Sequence, residues 1–149
     1  MKLKVSDFYE SIGTVFINTK DIIENQQSYN EDDKESDSEF VVLREGTYII
    51  VDSDSHGYNL YNISKNKNVF FEIGWVDENK EFQTVYTPPI ETLELMIDSM
   101  SKRIIQLTSD GWVLDNENKY FNLSPEIEKL TILTTTYNAI KLMKTANNS

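Results

Sequence analysis

The stretch "FVVLREGTYIIVDSDSHGYNLYNI", Phe40 to Ile63, decides the fold class. It holds three runs rich in valine, isoleucine, leucine and tyrosine, separated by the short polar segments "REG" and "DSDSHG". β-Branched and aromatic residues favour strands, whereas glycine, aspartate and serine favour the turns between strands. Both faces of the first two runs are apolar, as in strands that are covered on both sides. The stretch therefore predicts the centre of an antiparallel sheet, with a hairpin at "REG".

Two further strands are expected downstream. The segment "VFFEIGWV", residues 69–76, places apolar residues at alternate positions, and "EFQTVY", residues 81–86, follows after the turn "DENK". Together the five runs predict an antiparallel meander of about five strands. Upstream, "TVFIN" reads as one more short strand, while "DFYESI" and "KDIIEN" read as short helical segments.

Two helices are expected after the sheet. From about residue 88 to 107 the apolar residues recur at spacings of three and four, which is one continuous stripe of an α-helix. The members of this stripe are Ile90, Leu93, Ile97, Met100, Ile104 and Leu107. A second helix is expected at about 125–145, although its run "TILTTTY" is rich in β-branched residues. The predicted fold class is α+β, in one domain spanning residues 1–149.

An acidic segment interrupts this pattern before the meander. Residues 31–39 carry six carboxylates and one lysine, a net charge of −5 within a total of −11. Low hydrophobicity and one dominant charge sign predict a mobile acidic loop at about residues 26–38. The alternative to a role in binding is that the loop only keeps the protein soluble. The candidate partner contacts are the five carboxylates of this loop and the one that follows it, Glu31, Asp32, Asp33, Glu35, Asp37 and Glu39.

The overall charge narrows the classes of partner. A net charge of −11 argues against direct binding of nucleic acid and of anionic membrane surfaces, both of which attract lysine and arginine. A protein partner is expected, and a basic surface is one that this charge would fit. The chain has no cysteine, no signal-peptide pattern and no apolar run of membrane-spanning length, so we expect a cytoplasmic protein. The sequence leaves the oligomeric state open.

The segment "DSDSHG" resembles the first half of a calcium-binding loop. Asp52 and Asp54 stand at positions 1 and 3, and Gly57 stands at position 6. The second half departs from the pattern, because Ile63 occupies position 12, where such loops carry a bidentate glutamate. The other interpretation is a hairpin turn that uses aspartate, serine and glycine for its geometry. We expect the turn, and keep Asp52 and Asp54 as candidate metal ligands.

Catalytic patterns are missing from the sequence. The single histidine, His56, lies in the same polar segment, and the chain contains no Gly-x-Ser-x-Gly elbow and no glycine-rich phosphate loop. No cofactor is predicted. Binding is therefore favoured over catalysis, and a small-ligand or metal-binding domain or an enzyme that uses Asp52–Gly57 remains the alternative.

Three aromatic residues in polar surroundings, Tyr58, Tyr61 and Trp112, are candidates for partial exposure and partner contact, since tyrosine and tryptophan are common interface anchors. The sequence is also rich in residues with AT-rich codons, with 15 isoleucines, 14 asparagines and 12 lysines, which suggests a low-GC bacterium or its phage. The favoured hypothesis is a small inhibitor, immunity, anti-defence or regulatory factor that occupies a partner surface. A structural component of a larger assembly is a further alternative.

Overall fold

The computed structural model describes residues 1–29 and 35–147, and the side chains of residues 1–25 and 38–145. Within these residues lie eight strands and two α-helices, with short 3-10 turns at Val5–Asp7, Tyr9–Ser11 and Ile73–Trp75. The strands are β1 (Lys2–Lys4), β2 (Val15–Asn18), β3 (Ile22–Tyr29), β4 (Glu35–Leu43), β5 (Gly46–Asp54), β6 (Gly57–Asn62), β7 (Lys67–Glu72) and β8 (Glu81–Val85). The helices are α1 (Pro89–Ser109) and α2 (Ser124–Asn147).

The predicted α+β class is confirmed. Six strands form one antiparallel sheet in the order β1-β8-β2-β5-β6-β7, and both expected helices are present close to the expected bounds. Only β5, β6 and β7 follow one another as a meander, because β8 returns across the sheet to lie between β1 and β2. The fourth strand, β4, leaves the sheet altogether and pairs with β3 in a separate two-stranded hairpin.

One face of the sheet carries an aromatic core centred on Phe8. This ring has no exposed surface, and it lies 5.2 Å from the ring of Phe16 and 5.4 Å from that of Tyr58. Phe71 and Phe82 complete the cluster, at 5.8 and 6.0 Å from Phe8. The 3-10 turns around residues 5–11 cover this face, so the predicted helix over "DFYESI" is replaced by tighter turns that bring Phe8 down onto the strands.

The β3–β4 hairpin closes the same core with its base. Val42 and Leu43 are buried there, and Ile22 and Phe40 pack against the cluster. The prediction of a helical turn over residues 20–25 is wrong, because residues 22–25 pair with β4 as a strand, a conformation that also suits the β-branched Ile22 and Ile23. The prediction of a loop over 26–38 is also wrong for residues 26–29 and 35–38, which are paired strand residues. Ladder hydrogen bonds join backbone groups and so do not require apolar side chains. Residues 30–34 lie outside the described residues.

A polar junction replaces the hairpin predicted at "REG". The chain passes there from the two-stranded hairpin into the main sheet, and Asn18 donates hydrogen bonds to the carbonyls of Leu43 (3.2 Å) and Arg44 (3.0 Å). The hydroxyl of Tyr48 donates to the same Arg44 carbonyl at 2.7 Å. Burial raises the pKa of Tyr48 above its ordinary value, so this hydroxyl keeps its proton as a donor.

The opposite face of the sheet is covered by the two helices. Met100 is buried against Val15, Ile49, Val51 and Tyr61, which confirms its place in the predicted apolar stripe of α1. None of the helices within residues 1–29 and 35–147 has the length and apolar character needed to cross a membrane.

Polar contacts also join the helices to the sheet. The hydroxyl of Ser99 donates to Asn68 Oδ1 of β7 at 2.8 Å. Arg103 Nε donates to Glu126 of α2 at 3.1 Å, and Arg103 Nη1 donates to Asn59 of β6 at 3.4 Å. A partly buried charge held by two partners fixes α1, α2 and β6 relative to one another.

The β-branched run of α2 is helical. The hydroxyls of Thr131, Thr134 and Thr136 each donate to the carbonyl four residues earlier, at 2.8–2.9 Å. These bonds keep the threonine hydroxyls satisfied within the helix. Leu130 and Leu133 of α2 pack against the helix-side core.

Candidate functional site

The segment that connects α1 to α2, residues 110–123, is the best candidate for a functional surface, and we call it the helix-connecting loop. It begins at a sharp turn in which Gly111 adopts a φ of +96°, a value that favours glycine. The N–H of Trp112 donates to the Leu107 carbonyl at 2.9 Å, and the N–H of Gly111 donates to Thr108 at 3.1 Å. These bonds satisfy the last carbonyls of α1 and set the direction in which the loop leaves the helix.

Backbone hydrogen bonds draw the two arms of the loop together. Val113 donates its N–H to the Phe121 carbonyl at 2.8 Å, and Leu123 donates to the Val113 carbonyl at 2.9 Å. The apolar residues of 112–114 and 120–123, on either side of the run "DNEN", would suit two short strands, but the structure has an isolated bridge here, between Val113 and Asn122. The arms are thus fixed to each other without becoming part of a sheet.

Side-chain oxygens hold the turn between the arms. Asn118 Oδ1 accepts the N–H groups of Tyr120 and Phe121, both at 2.9 Å. Asp115 Oδ1 accepts the Glu117 N–H at 3.0 Å. Aspartate and asparagine side chains commonly order turns in this way. The conformation of the loop is therefore largely fixed before any partner is bound.

Large apolar side chains project from this ordered loop into solvent. Leu114 is 67% exposed, Tyr120 is 77% exposed and Phe121 is 55% exposed. Trp112 is half-buried and meets the Phe121 ring edge-on, with 6.0 Å between the ring centroids. Single exposed apolar residues are ordinary, whereas a group on one short segment is typical of an interaction surface.

Carboxylates accompany the apolar side chains. The helix-connecting loop contains Asp110, Asp115 and Glu117 against the single base Lys119, all of them exposed, for a net charge of −2. The loop thus carries exposed apolar side chains and a net negative charge, a combination suited to an apolar pocket bordered by lysine or arginine.

Of the aromatic residues that the sequence singles out, only Trp112 lies in this loop. The expectation of partial exposure is wrong for Tyr58 and Tyr61, which are 8% and 1% exposed and belong to the cores on opposite faces of the sheet. Strand β6 is covered on both faces, so Tyr58 enters one core and Tyr61 the other, and Leu60 between them is buried as well. Burial also raises the pKa of Tyr58.

Three of the six predicted acidic contacts belong to β4. Glu39 is exposed on β4, opposite Asn25 in the strand register. The backbone of Glu35 and Asp37 also belongs to β4. Glu31, Asp32 and Asp33 lie outside the described residues. Contact of these six carboxylates with a partner stays a prediction.

The segment "DSDSHG" forms the turn that connects β5 to β6, as the hairpin interpretation expects. Asp54 pairs with Gly57 across a two-residue turn, and His56 is exposed at its tip. Asp54 Oδ1 accepts the N–H of Ser55, at 2.6 Å. The carboxylate of Asp52 forms a salt bridge with Lys129 of α2. Both candidate metal ligands are therefore already engaged by protein groups.

Side chains that could bind a metal ion do not cluster in the part of the chain that the structure describes. Within residues 1–29 and 35–147, no three His, Asp or Glu side chains are grouped closely enough to hold a metal ion. The two tyrosines with raised pKa values are core residues whose hydroxyls hydrogen-bond within the fold.

Sequence reasoning missed Leu114, Tyr120 and Phe121 because an apolar residue between two helices reads as a core residue or a short strand. The available signal is the run "DNEN" between the arms, since it leaves each arm only three or four residues, too short for an independent strand pair.

In comparisons with protein-family models, curated protein sequences and solved structures, no match to this chain was found.

Proposed function

We propose that the protein is a binding module that occupies a surface of another protein through its helix-connecting loop. The observation that carries the proposal is the exposure of Leu114, Tyr120 and Phe121 on a loop that internal hydrogen bonds already fix. Ordering a flexible loop on binding lowers affinity, so anchors held in place beforehand favour association. Aromatic side chains of this kind supply much of the binding energy at interfaces.

The chemistry of the loop favours a particular kind of partner. The same loop carries three exposed carboxylates, and the whole chain carries a net charge of −11. A partner with an apolar pocket and a basic rim fits both features, and unlike charge would speed the encounter. Basic surfaces of this type include those that bind nucleic acid, so the protein would act as an inhibitor, immunity or regulatory factor that blocks such a surface.

The alternative of a metal site or an enzyme at Asp52–Gly57 has weaker support. The carboxylate of Asp52 is paired with Lys129, and a cation would have to displace that lysine. Asp54 is already used to order its turn. No observation in the described residues favours a reaction at this position over a structural turn.

Affinity capture with matched variants tests the proposal. The wild-type protein, Tyr120→Ser and Tyr86→Ser would each be immobilised and exposed to bacterial lysate. Both tyrosines are largely exposed, at 77% and 85%, so neither substitution removes core packing. A partner retained by the wild type and by Tyr86→Ser, but lost from Tyr120→Ser, is the expected result. Its affinity should fall at least about 30-fold in Tyr120→Ser, the effect of a typical interface hot spot.

Three outcomes would contradict the proposal at different levels. A partner that binds all three proteins equally would show that the helix-connecting loop is not the binding surface. If the wild type retains no protein, the binding-module function itself is wrong. A partner whose affinity does not change between low and high salt would contradict its basic character, because exposed charges are screened by salt.

A further inference from the structure

A groove lies between β4 of the hairpin and β7 at the edge of the main sheet. It encloses about 550 Å³, and its walls are formed by consecutive residues of both strands, 39–43 and 67–70. Successive side chains of a strand point to opposite faces. When consecutive residues line one groove, each strand presents its edge to that groove. Among the described strands, β7 pairs only with β6 and β4 pairs only with β3.

The register of the sheet shows which backbone groups of β7 face this groove. Ile63, directly after β6, donates its N–H to β5. Since backbone groups alternate in direction along a strand, those of Leu60 point the other way, toward its partner Val69 in β7. The N–H and C=O groups of Asn68 and Phe70 then point away from β6. They form a free edge on which another strand can be added.

One end of the groove is basic. Lys65 and Lys67 line it there and are exposed, and within the described residues no carboxylate lies at ion-pair distance from either ammonium group. Arg44 lines the same end, with Nη1 3.7 Å from Asp21 Oδ2. Together with Glu39, which lies toward the other end, the groove carries three bases and one acid in a chain whose net charge is −11.

The other end of the groove is apolar. Phe40 meets Trp75 edge-on with 4.9 Å between ring centroids, which places this part of β4 beside the residues that follow β7. Phe70 is exposed and Val69 is half-buried along the same wall. The groove therefore changes from basic to apolar along its length.

We propose that the groove binds an extended peptide segment of another protein, with acidic residues at one end and apolar residues at the other, as an additional strand on β7. Strand addition supplies main-chain hydrogen bonds to Asn68 and Phe70, while the lysines and the apolar wall select the side chains. This surface is separate from the helix-connecting loop and uses the opposite charge. The protein would therefore contact two partner surfaces, one through each site.

Synthetic peptides test this inference directly. The probes are peptides of about eight residues, roughly the length of a strand, with threonine and valine in one half and glutamates at alternate positions in the other. Both chain directions would be made, each with a counterpart that carries lysine in place of glutamate. Binding to the full chain would be followed by fluorescence anisotropy, with backbone amide signals of residues 67–70 monitored by NMR.

The expected result is binding of one glutamate peptide with a Kd below about 1 mM and at least tenfold weaker binding of its lysine counterpart. Charge reversal of both groove lysines, in the double variant Lys65→Glu with Lys67→Glu, should weaken the binding of the glutamate peptide at least about tenfold. The matched control, Lys4→Glu with Lys144→Glu, makes the same change in net charge away from the groove and should bind as the wild type does. The amides of Asn68 and Phe70 should become protected from exchange.

N-Methylation of the peptide distinguishes strand addition from simple charge attraction. Methyl groups on alternate nitrogens block one edge of a strand, so one set of alternate positions should abolish binding and the other set should be tolerated. If both methylated peptides bind equally, if the lysine and glutamate peptides bind equally, or if neither glutamate peptide binds, the inference is wrong. None of these results depends on the helix-connecting loop.

Discussion

Replacing Gly57 with alanine is expected to destabilise the protein strongly, because β6 and β7 pass each other closely at this residue. An added Cβ would lie 2.0 Å from the Phe71 carbonyl oxygen and 2.9 Å from its carbon, both of them backbone atoms. Real Cβ contacts do not fall below 3.0 Å, so the strands must separate by about 1 Å. Overpacking of this kind costs about 1–3 kcal/mol, and a disturbed ladder bond adds about 0.5–1.5 kcal/mol.

We therefore expect the free energy of unfolding to fall by about 2–4 kcal/mol in Gly57→Ala. For a chain of this size, the melting temperature should fall by about 4–16 °C. Urea unfolding followed by tryptophan fluorescence would measure the change, since the chain has two tryptophans.

Two other glycines provide matched controls. Nothing lies within 4 Å of a Cβ placed on Gly74, so Gly74→Ala should change stability by less than about 0.5 kcal/mol. Gly111 is equally unobstructed but has a φ of +96°, so Gly111→Ala should cost about 1–2 kcal/mol through backbone strain alone. If Gly57→Ala unfolds at the same urea concentration as Gly74→Ala, the close approach of β6 and β7 is wrong. The β6–β7 register, which places the backbone groups of Asn68 and Phe70 at the groove, would then be wrong as well.

Three further predictions concern pH, charge and metal. Burial raises the pKa of Tyr48 above its ordinary value of 10.0, so the unfolded chain loses this proton first, and the free energy of unfolding should be constant below pH 10 and fall as the pH rises further. Tyr48→Phe should lose about 1 kcal/mol of stability at neutral pH, because its hydrogen bond to Arg44 is gone, but its stability should decline less steeply at alkaline pH. Urea titrations at several pH values would measure both effects, and a decline as steep as that of the wild type would contradict the prediction. Replacing all six carboxylates of residues 31–39 by amides should lower the association rate constant with a basic partner at least about threefold at low salt and leave the dissociation rate constant nearly unchanged. Stopped-flow measurements would give both rate constants, and an effect confined to dissociation would show that these side chains contact the partner directly. Calcium should leave the melting temperature of the protein unchanged within about 1 °C, because Asp52 is paired with Lys129. A rise in melting temperature with calcium that disappears in Asp52→Asn would support a metal site at Asp52 and Asp54 instead.

Periodic segments were the most predictable from sequence. The apolar spacing of three and four continues over about five helical turns, which is typical of a helix, and Met100 of this stripe is buried in the core. The turn at Asp54–Gly57 was equally clear, since its residue types suit a two-residue hairpin. In both cases neighbours in sequence determine the structure.

The conformation of the mispredicted elements depends on contacts with residues that are distant in the sequence. Ile22 and Ile23 suit a helix or a strand, and β4, some twenty residues away, selects the strand. Trp75 continues the alternation of β7 but lies in a 3-10 turn, where its ring packs on Phe40. The exposed anchors of the helix-connecting loop were missed for the same reason, because exposure depends on what the rest of the chain leaves uncovered.

The two faces of the main sheet are attached to their covers in different ways, and this has a consequence for how the protein opens. Five aromatic rings interlock on one face, whereas the helices on the other face are held partly by polar pairs such as Arg103–Glu126 and Ser99–Asn68. Proteins open first where few apolar contacts must be broken. We therefore expect the helical pair to be the less stable cooperative unit, with amides of α2 exchanging with solvent through a partial unfolding that leaves the amides of β5 protected.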